Sequence, residues 1–216
     1  GGKQTRALTK DVGGVDNQAP DGPTGVAVSG DGSTVTGKGE PDTNVKITDS
    51  NGTLIGEGVV DANGDFTVTL VPPLVNGEQI DATLTDKAGN ESDPTNAAAP
   101  DLTAPDAPTS ILVGNDDGFL NAEEIGADNT VAVVIGLPET AKAGDTVIVN
   151  GKEQRLTLDD ITAKKVTVNI AAPAEGDSLT ITATLKDVAG NQSQALTKDL
   201  GVVDTEAPGG QDGATQ

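Results

Sequence analysis

Ala82-Thr83-Leu84-Thr85-Asp86-Lys87-Ala88-Gly89-Asn90-Glu91-Ser92 returns as Ala183-Thr184-Leu185-Lys186-Asp187-Val188-Ala189-Gly190-Asn191-Gln192-Ser193, with eight of eleven residues identical and an offset of 101. A match of that quality at a domain-sized spacing implies two homologous domains. A second pattern, Asp-x-x-Ala-Pro, marks their limits. It occurs at Asp16 to Pro20, at Asp101 to Pro105 and at Asp204 to Pro208, so the domains are expected at 17–101 and 102–204, with 205–216 as a linker. A third match joins Ala7 to Pro20 with Ala195 to Pro208, identical at ten of fourteen positions and offset by 188. Residues 1–16 therefore read as the last strand of a preceding copy of the second domain. The parent protein is expected to alternate the two domain types.

Short alternating runs such as Val45-Lys46-Ile47-Thr48, Thr67-Val68-Thr69-Leu70, Thr146-Val147-Ile148-Val149 and Val166-Thr167-Val168-Asn169-Ile170 recur between Gly, Asn, Asp and Pro. A period of two puts alternate side chains on one face of a strand. The turns at Asn51-Gly52, Asn63-Gly64, Asn76-Gly77 and Asn150-Gly151 supply residues that tolerate positive φ, as hairpins require. The fold class expected is all-β: two tandem seven-stranded β-sandwiches in an elongated arrangement. Helix signals are sparse. Asn121-Ala122-Glu123-Glu124, inside the irregular stretch 114–129, is expected to form one capped helical or 3₁₀ turn.

The chain has no Cys, His, Met, Trp or Tyr. That removes thiol catalysis, the Ser-His-Asp triad and His-ligated zinc or iron. Asp159-Asp160 or Glu123-Glu124 could in principle supply an acid and base for glycoside cleavage, but neighbouring side chains on a strand or loop point apart and no aromatic sugar platform accompanies them. No enzyme is expected. The charge of −21, from 34 Asp+Glu against 13 Lys+Arg, disfavours nucleic acid and anionic lipid as partners and favours cations. No segment approaches the roughly 20 apolar residues of a membrane span, and the N-terminus shows no signal peptide.

The Asp-x-x-Ala-Pro linkers, Gly39-Glu40-Pro41-Asp42 before a strand, Asp61-Ala62-Asn63-Gly64-Asp65-Phe66 and Asp86-Lys87-Ala88-Gly89-Asn90 together resemble the bacterial Ig-like extender repeats of giant type I secreted, repeats-in-toxin (RTX) biofilm adhesins. The second domain, with Asp116 to Glu123 and Asp187 to Asn191, looks like a longer variant. The resemblance spans 17–208. It implies fibronectin III- or cadherin-like sandwiches and an extracellular place on a bacterial cell surface. It also implies a stalk that projects a distal binding domain for cell adhesion and biofilm formation. With Phe66 and Phe119 as the only aromatics, the cores must be Val, Ile, Leu and Ala. At about 25 cal/mol per Å² of buried apolar area each domain is expected to be marginal alone, and a bound ion would help.

In a seven-stranded sandwich whose first strand leaves the N-terminal pole, the second-to-third, fourth-to-fifth and sixth-to-seventh loops return to that pole. Asp42, Asp61, Asp65 and Asp86 then gather beside linker residues Asp16 and Asp21. The corresponding set in the second domain is Asp101, Asp106, Asp159, Asp160 and Asp187, with Asp204 offered onward. Six to eight hard oxygens suit Ca²⁺, so each junction is expected to hold an ion and stiffen. A competing reading is that Asp86 and Asp187 start hairpin turns through hydrogen bonds to their own backbone, with Asn90 and Asn191 shaping those turns. Val113 to Glu124 also fits an EF-hand loop at five positions, although Val113 stands where the first ligand belongs.

Two functional readings follow. The first is a structural extender whose partners are neighbouring repeats of the same chain, the fragment itself being monomeric. The second is a ligand-binding Ig-like module taking glycan or protein. Recognition surfaces favour Tyr, Trp and Arg, and only Arg6 and Arg155 are present. A spacer needs none of them.

Overall fold

The computed structural model describes residues 15–203 and Thr205. The strand expected within residues 1–14, the ligand Asp204 and the linker at 206–216 lie outside the described residues. The chain divides into two units between Asp101 and Leu102. Each is considered by itself.

Unit 1 contains β1 (Thr24–Val28), β2 (Thr34–Lys38), β3 (Asn44–Asp49), β4 (Leu54–Val59), β5 (Asp65–Thr69), β6 (Gln79–Thr85) and β7 (Thr95–Ala98). These form a three-stranded sheet β1-β2-β5 and a four-stranded sheet β4-β3-β6-β7, antiparallel throughout. Unit 2 repeats the plan with β8 (Ser110–Val113), β9 (Thr130–Gly136), β10 (Thr146–Val149), β11 (Lys152–Arg155), β12 (Lys165–Ala171), β13 (Ser178–Lys186) and β14 (Leu196–Val202). Its sheets run β12-β9-β8 and β11-β10-β13-β14. The chain is thus two tandem seven-stranded antiparallel β-sandwiches, with the fourth strand of each beside the third.

The period of two does the sorting. In β5, Phe66 and Val68 point inward between exposed Asp65, Thr67 and Thr69. In β12, Val166, Val168 and Ile170 are buried while the intervening residues face solvent. The unit 1 core joins Val35, Val45, Ile47, Val60, Val68, Leu70, Ile80, Ala82 and Leu84 around Phe66. Gly37 lies under the Phe66 ring, and a Cβ there would collide with it. Unit 2 has the larger cluster, twenty buried residues against ten, with no aromatic in it. Phe119 stands 63% exposed.

The one capped turn expected at 121–124 is present, and an α-helix that the sequence did not lead one to expect lies elsewhere. Residues 121–124 form a hydrogen-bonded turn in which Glu124 N–H donates to the Asn121 carbonyl at 3.1 Å. The turn does not propagate, because the Glu124 carboxylate folds back onto the amides of Asn115 and Asn121. Leu120 and Ile125 on either side are drawn into β-bridges with Val203 and Val131. The α-helix is α1 (Leu158–Ala163), begun by a capping box in which Asp160 N–H donates to Thr157 Oγ1 and Thr157 N–H to Asp160 Oδ2. Lys164 ends it in the left-handed conformation, φ 53°. Among the described residues no helix is long and apolar enough to cross a membrane.

Candidate functional site

Three of the candidate aspartates build the same local device. Asp61 Oδ1 accepts from the amides of Asn63 and Asp65 at 2.8 and 2.9 Å, and Asp86 Oδ1 accepts from Ala88 and Asn90 at 2.8 and 2.9 Å. Asp187 Oδ1 accepts from Asn191 N–H at 2.8 Å. In each case the glycine three residues on, Gly64, Gly89 or Gly190, returns its N–H to the aspartate carbonyl. Those glycines have φ of 84°, 94° and 97°, which a side chain at those sites would resist. The competing turn reading of Asp86 and Asp187 therefore describes what their Oδ1 atoms do.

The ionised form is what these turns bind. Backbone donation from Asp65 and Asn63 holds Asp61 below the usual carboxylate range, and the Asn90 side chain and amides do so for Asp86. Burial acts to raise Asp187, but donation from Asn191, Gly190 and Ala189 outweighs it and the net direction is down.

Asn90 and Ser92 explain why the repeated segment repeats. Asn90 Nδ2 donates to Asp86 Oδ2 at 2.8 Å and approaches the carbonyls of Asp16 and Gln18 at 3.2 and 3.4 Å. It thereby ties the incoming segment to the β6–β7 turn. Asn191 Nδ2 donates likewise to Asp187 Oδ2 at 2.9 Å. Buried Ser92 accepts from Leu84 N–H at 2.9 Å and donates to the Asp93 carbonyl at 2.9 Å. Ser193 does the same for Leu185 and Gln194, at 2.9 and 2.8 Å. These hydroxyls satisfy backbone groups where the strand ladder stops.

The strand directions bring Asp42, Asp61, Asp65 and Asp86 to the pole of unit 1 where Asp16 and Asp21 arrive. Loop 39–43 is bonded to loop 60–64 through Gly39 N–H to Gly64 O and Asp42 N–H to Val60 O, both at 3.0 Å. Lys87 Nζ, on the β6–β7 turn, reaches Asp42 Oδ2 at 3.0 Å. Lys38 pairs with Asp65. Asp16 Oδ1 accepts from Gln18 N–H at 3.1 Å, and Asp21 is exposed. Asp101 lies at the other end of the unit, bridged to Asn76.

In unit 2, Asp106 exchanges hydrogen bonds with Thr140 at 3.1 Å, which joins it to loop 137–145. Asp159 sits in the first turn of α1, and Asp160 is spent on the cap. Leu137 N–H donates to the Lys164 carbonyl at 2.9 Å, so α1 and the Asp106 loop share a pole. Several residues of the EF-hand-like stretch are engaged in other contacts. Val113 is buried in β8, Asp116 pairs with Lys198, Asp117 caps Phe119, and Glu124 holds the two amides named above.

The donor chemistry suits a hard cation. Asp61 Oδ1 and Asp86 Oδ1 each take two N–H bonds, which leaves capacity on the Oδ2 atoms, and Asp16 and Asp21 offer exposed carboxylates. The arrangement is open, since among the described residues no three Asp or Glu side chains come together as a metal-binding group. Lys38 and Lys87, which pair with Asp65 and Asp42 at the pole of unit 1, and the serines Ser92 and Ser193 were not read from the sequence. Only the recurrence of Ser92 as Ser193 signalled the latter pair.

Residues 19–101 match the family model described as a bacterial Ig domain. No curated protein matches the sequence. Among solved structures, the BSP domain of a biofilm-associated protein aligns at 20% identity over 86% of this chain and 30% of that one, with a TM-score of 0.33. The chain therefore spans less than a third of that structure's length. A structure concerned with host cell surface retention of a 1.5-MDa bacterial ice-binding adhesin aligns at 23% identity, over 88% of this chain and 67% of that one, with a TM-score of 0.40. Titin domains A168–A170 align at 10% identity over 79% and 58%, with a TM-score of 0.43. The strand order of each unit is that of an Ig- or fibronectin III-like β-sandwich.

Proposed function

We propose that this chain is a structural extender of a bacterial cell-surface adhesin, stiffened by Ca²⁺ at its domain junctions. Its work is to project a distal binding domain for cell adhesion and biofilm formation, on a protein exported by the type I route of the RTX adhesins. The observation that carries the reading is the pole of unit 1. There the incoming segment, held by Asn90 at the carbonyls of Asp16 and Gln18, meets the loops bearing Asp42, Asp61, Asp65 and Asp86. The bacterial Ig match over residues 19–101 supports the cellular setting, and repetition of one sandwich plan supports reach as the product.

Outside the cell, where Ca²⁺ is plentiful, the linker and loop carboxylates share ions, their mutual repulsion falls and the angle between neighbouring domains becomes fixed. Where Ca²⁺ is scarce the same carboxylates repel one another and the junction loosens. Asp101 at the end of unit 1, and Asp106, Asp159 and Asp187 in unit 2, are offered for the same purpose. A calorimetric melting series in chelator and in rising Ca²⁺ tests the assignment. An ion that prefers the folded chain stabilises it by about 2.7 kcal/mol at 100 times its dissociation constant, so the midpoint must climb. Melting that is indifferent to Ca²⁺ sinks the site.

A further inference from the structure

The outer face of the sheet β4-β3-β6-β7 has a corner that unit 1 leaves open and unit 2 closes. In unit 1, Asn44 on β3 pairs with Val59 on β4 and Thr85 on β6, and Lys46 pairs with Glu57 and Thr83. In unit 2, Thr146 on β10 pairs with Arg155 and Lys186, and Ile148 pairs with Glu153 and Thr184. The register therefore puts Arg155 in the place of Val59, Lys186 in the place of Thr85 and Glu153 in the place of Glu57. A glutamate stands at the same point of both faces, but its surroundings differ.

Unit 2 fills the corner from within. Lys186 Nζ meets Glu153 Oε1 at 2.8 Å across β10, and the Arg155 guanidinium lies so near Gly144 that a Cβ there would come within 3.3 Å of it. Unit 1 has neither cation. Asn44, Lys46, Glu57, Val59 and Thr85 instead line a recess of ≈ 400 Å³. Val59 is 59% exposed, and Thr85 Oγ1 is buried without a hydrogen-bond partner. Residues 17–101 contain three lysines and no arginine, and each lysine is committed elsewhere: Lys38 to Asp65, Lys46 to Glu91 and Lys87 to Asp42. Among the described residues no cation pairs with Glu57. An unpaired surface carboxylate alone is ordinary in a chain of charge −21. Glu57 differs because a recess adjoins it and because its counterpart shows which group such a corner fits.

We propose that this corner of unit 1 receives a lysine side chain from a basic segment of another protein, in the place that Lys186 fills in unit 2. The ammonium group pairs with Glu57 and the methylene stem covers Val59. The bound segment brings a polar group to the Thr85 hydroxyl, which lacks one. Lys46 does not repel the newcomer strongly, because Glu91 answers its charge at 4.0 Å. The acidity of the whole chain draws a basic partner toward it. The pairing rests on the two sheet faces and does not depend on Ca²⁺.

Nuclear magnetic resonance titration of the full chain tests this, with the blocked tripeptide Gly-Lys-Gly as probe. The titration is run in chelator and at about 0.15 M salt, where attraction between exposed charges is screened beyond about 8 Å. The amide signals of Asn44, Glu57, Val59 and Thr85 are expected to shift and to saturate together. Acetylating the lysine of the probe removes its charge and is expected to weaken binding at least about threefold, as is Glu57→Gln. Thr85→Lys gives unit 1 the residue that unit 2 has, and is expected to abolish the shifts. Shifts that ignore acetylation or Glu57→Gln, shifts scattered over the acidic loops without saturation, or no shift at all would overturn the proposal. So would movement of the same signals when the chain alone is concentrated, which gives the corner to a second copy instead. Because Ca²⁺ is excluded, none of these outcomes bears on the ion-bridging function.

Discussion

Asn90 donates its side-chain amide to Asp86 at 2.8 Å, closing from one side a carboxylate that two backbone amides close from the other. Asn191 and Asp187 repeat the arrangement in unit 2. The pair makes the β6–β7 turn an electrostatic object, since it is the ionised aspartate that accepts all these bonds.

Acid is therefore expected to loosen both units. Asp61, Asp86 and Asp187 have depressed folded pKa values, and Asp31, bonded by Ser29 and Ser33, is lowered to about 2. A carboxylate with a lowered folded pKa contributes stability above its unfolded value, near pH 3.9, and loses it as pH falls through the folded value. Thermal midpoints followed by circular dichroism should be level from about pH 7 to 5 as far as these groups are concerned, and should fall between about pH 4 and 2. Asp86→Asn should flatten the acid limb of unit 1.

Ser92 and Ser193 offer a paired test of the repeated segment. Ser92→Ala leaves the Leu84 amide and the Asp93 carbonyl without their partner, and unsatisfied buried backbone groups cost about 1–3 kcal/mol. A loss of about 2 kcal/mol is expected in the urea unfolding of unit 1, with Ser193→Ala doing the same to unit 2. Backbone amide signals resolve which unit is weakened. A loss below about 0.5 kcal/mol for both would mean that water replaces the hydroxyl and that neither serine is needed at these backbone groups.

Lys87 is expected to compete with Ca²⁺ for Asp42. The pair is exposed, so Lys87→Gln should change stability by less than about 1 kcal/mol. It should tighten Ca²⁺ binding at the unit 1 pole, because the ion no longer displaces an ammonium group from Asp42. Calorimetric titration of the variant against the parent reads this directly. Weaker binding would remove Asp42 from the ligand set.

The strands were legible because Val166-Thr167-Val168-Asn169-Ile170 can bury only one face, and the gathering of loops at one pole followed from counting strand directions. The allocation of each carboxylate oxygen was not legible. Lys87 meets Asp42 across 45 residues of sequence, and no local pattern announces a contact at that separation. The turn at Asp61-Ala62-Asn63-Gly64-Asp65 looks the same in sequence whether Asp61 serves its backbone, an ion or both. The helix was missed for a related reason. Thr157-Leu158-Asp159-Asp160 is a capping signature, but the same adjacent acids read equally well as ion ligands, and only the fold shows Asp160 serving the cap. At Asn121 the helix signal was real but local. Tertiary bridges from Leu120 to Val203 and from Ile125 to Val131 confine it to the one turn expected.

Small-angle X-ray scattering in chelator and in millimolar Ca²⁺ tests the extender account most directly, because it reads the freedom between the two units rather than the stability of either. The account predicts that Ca²⁺ raises the maximum dimension, reduces the flexibility of the pair, and does so less when Asp101 and Asp106 are replaced by Asn. Scattering profiles that superimpose with and without Ca²⁺ would contradict it.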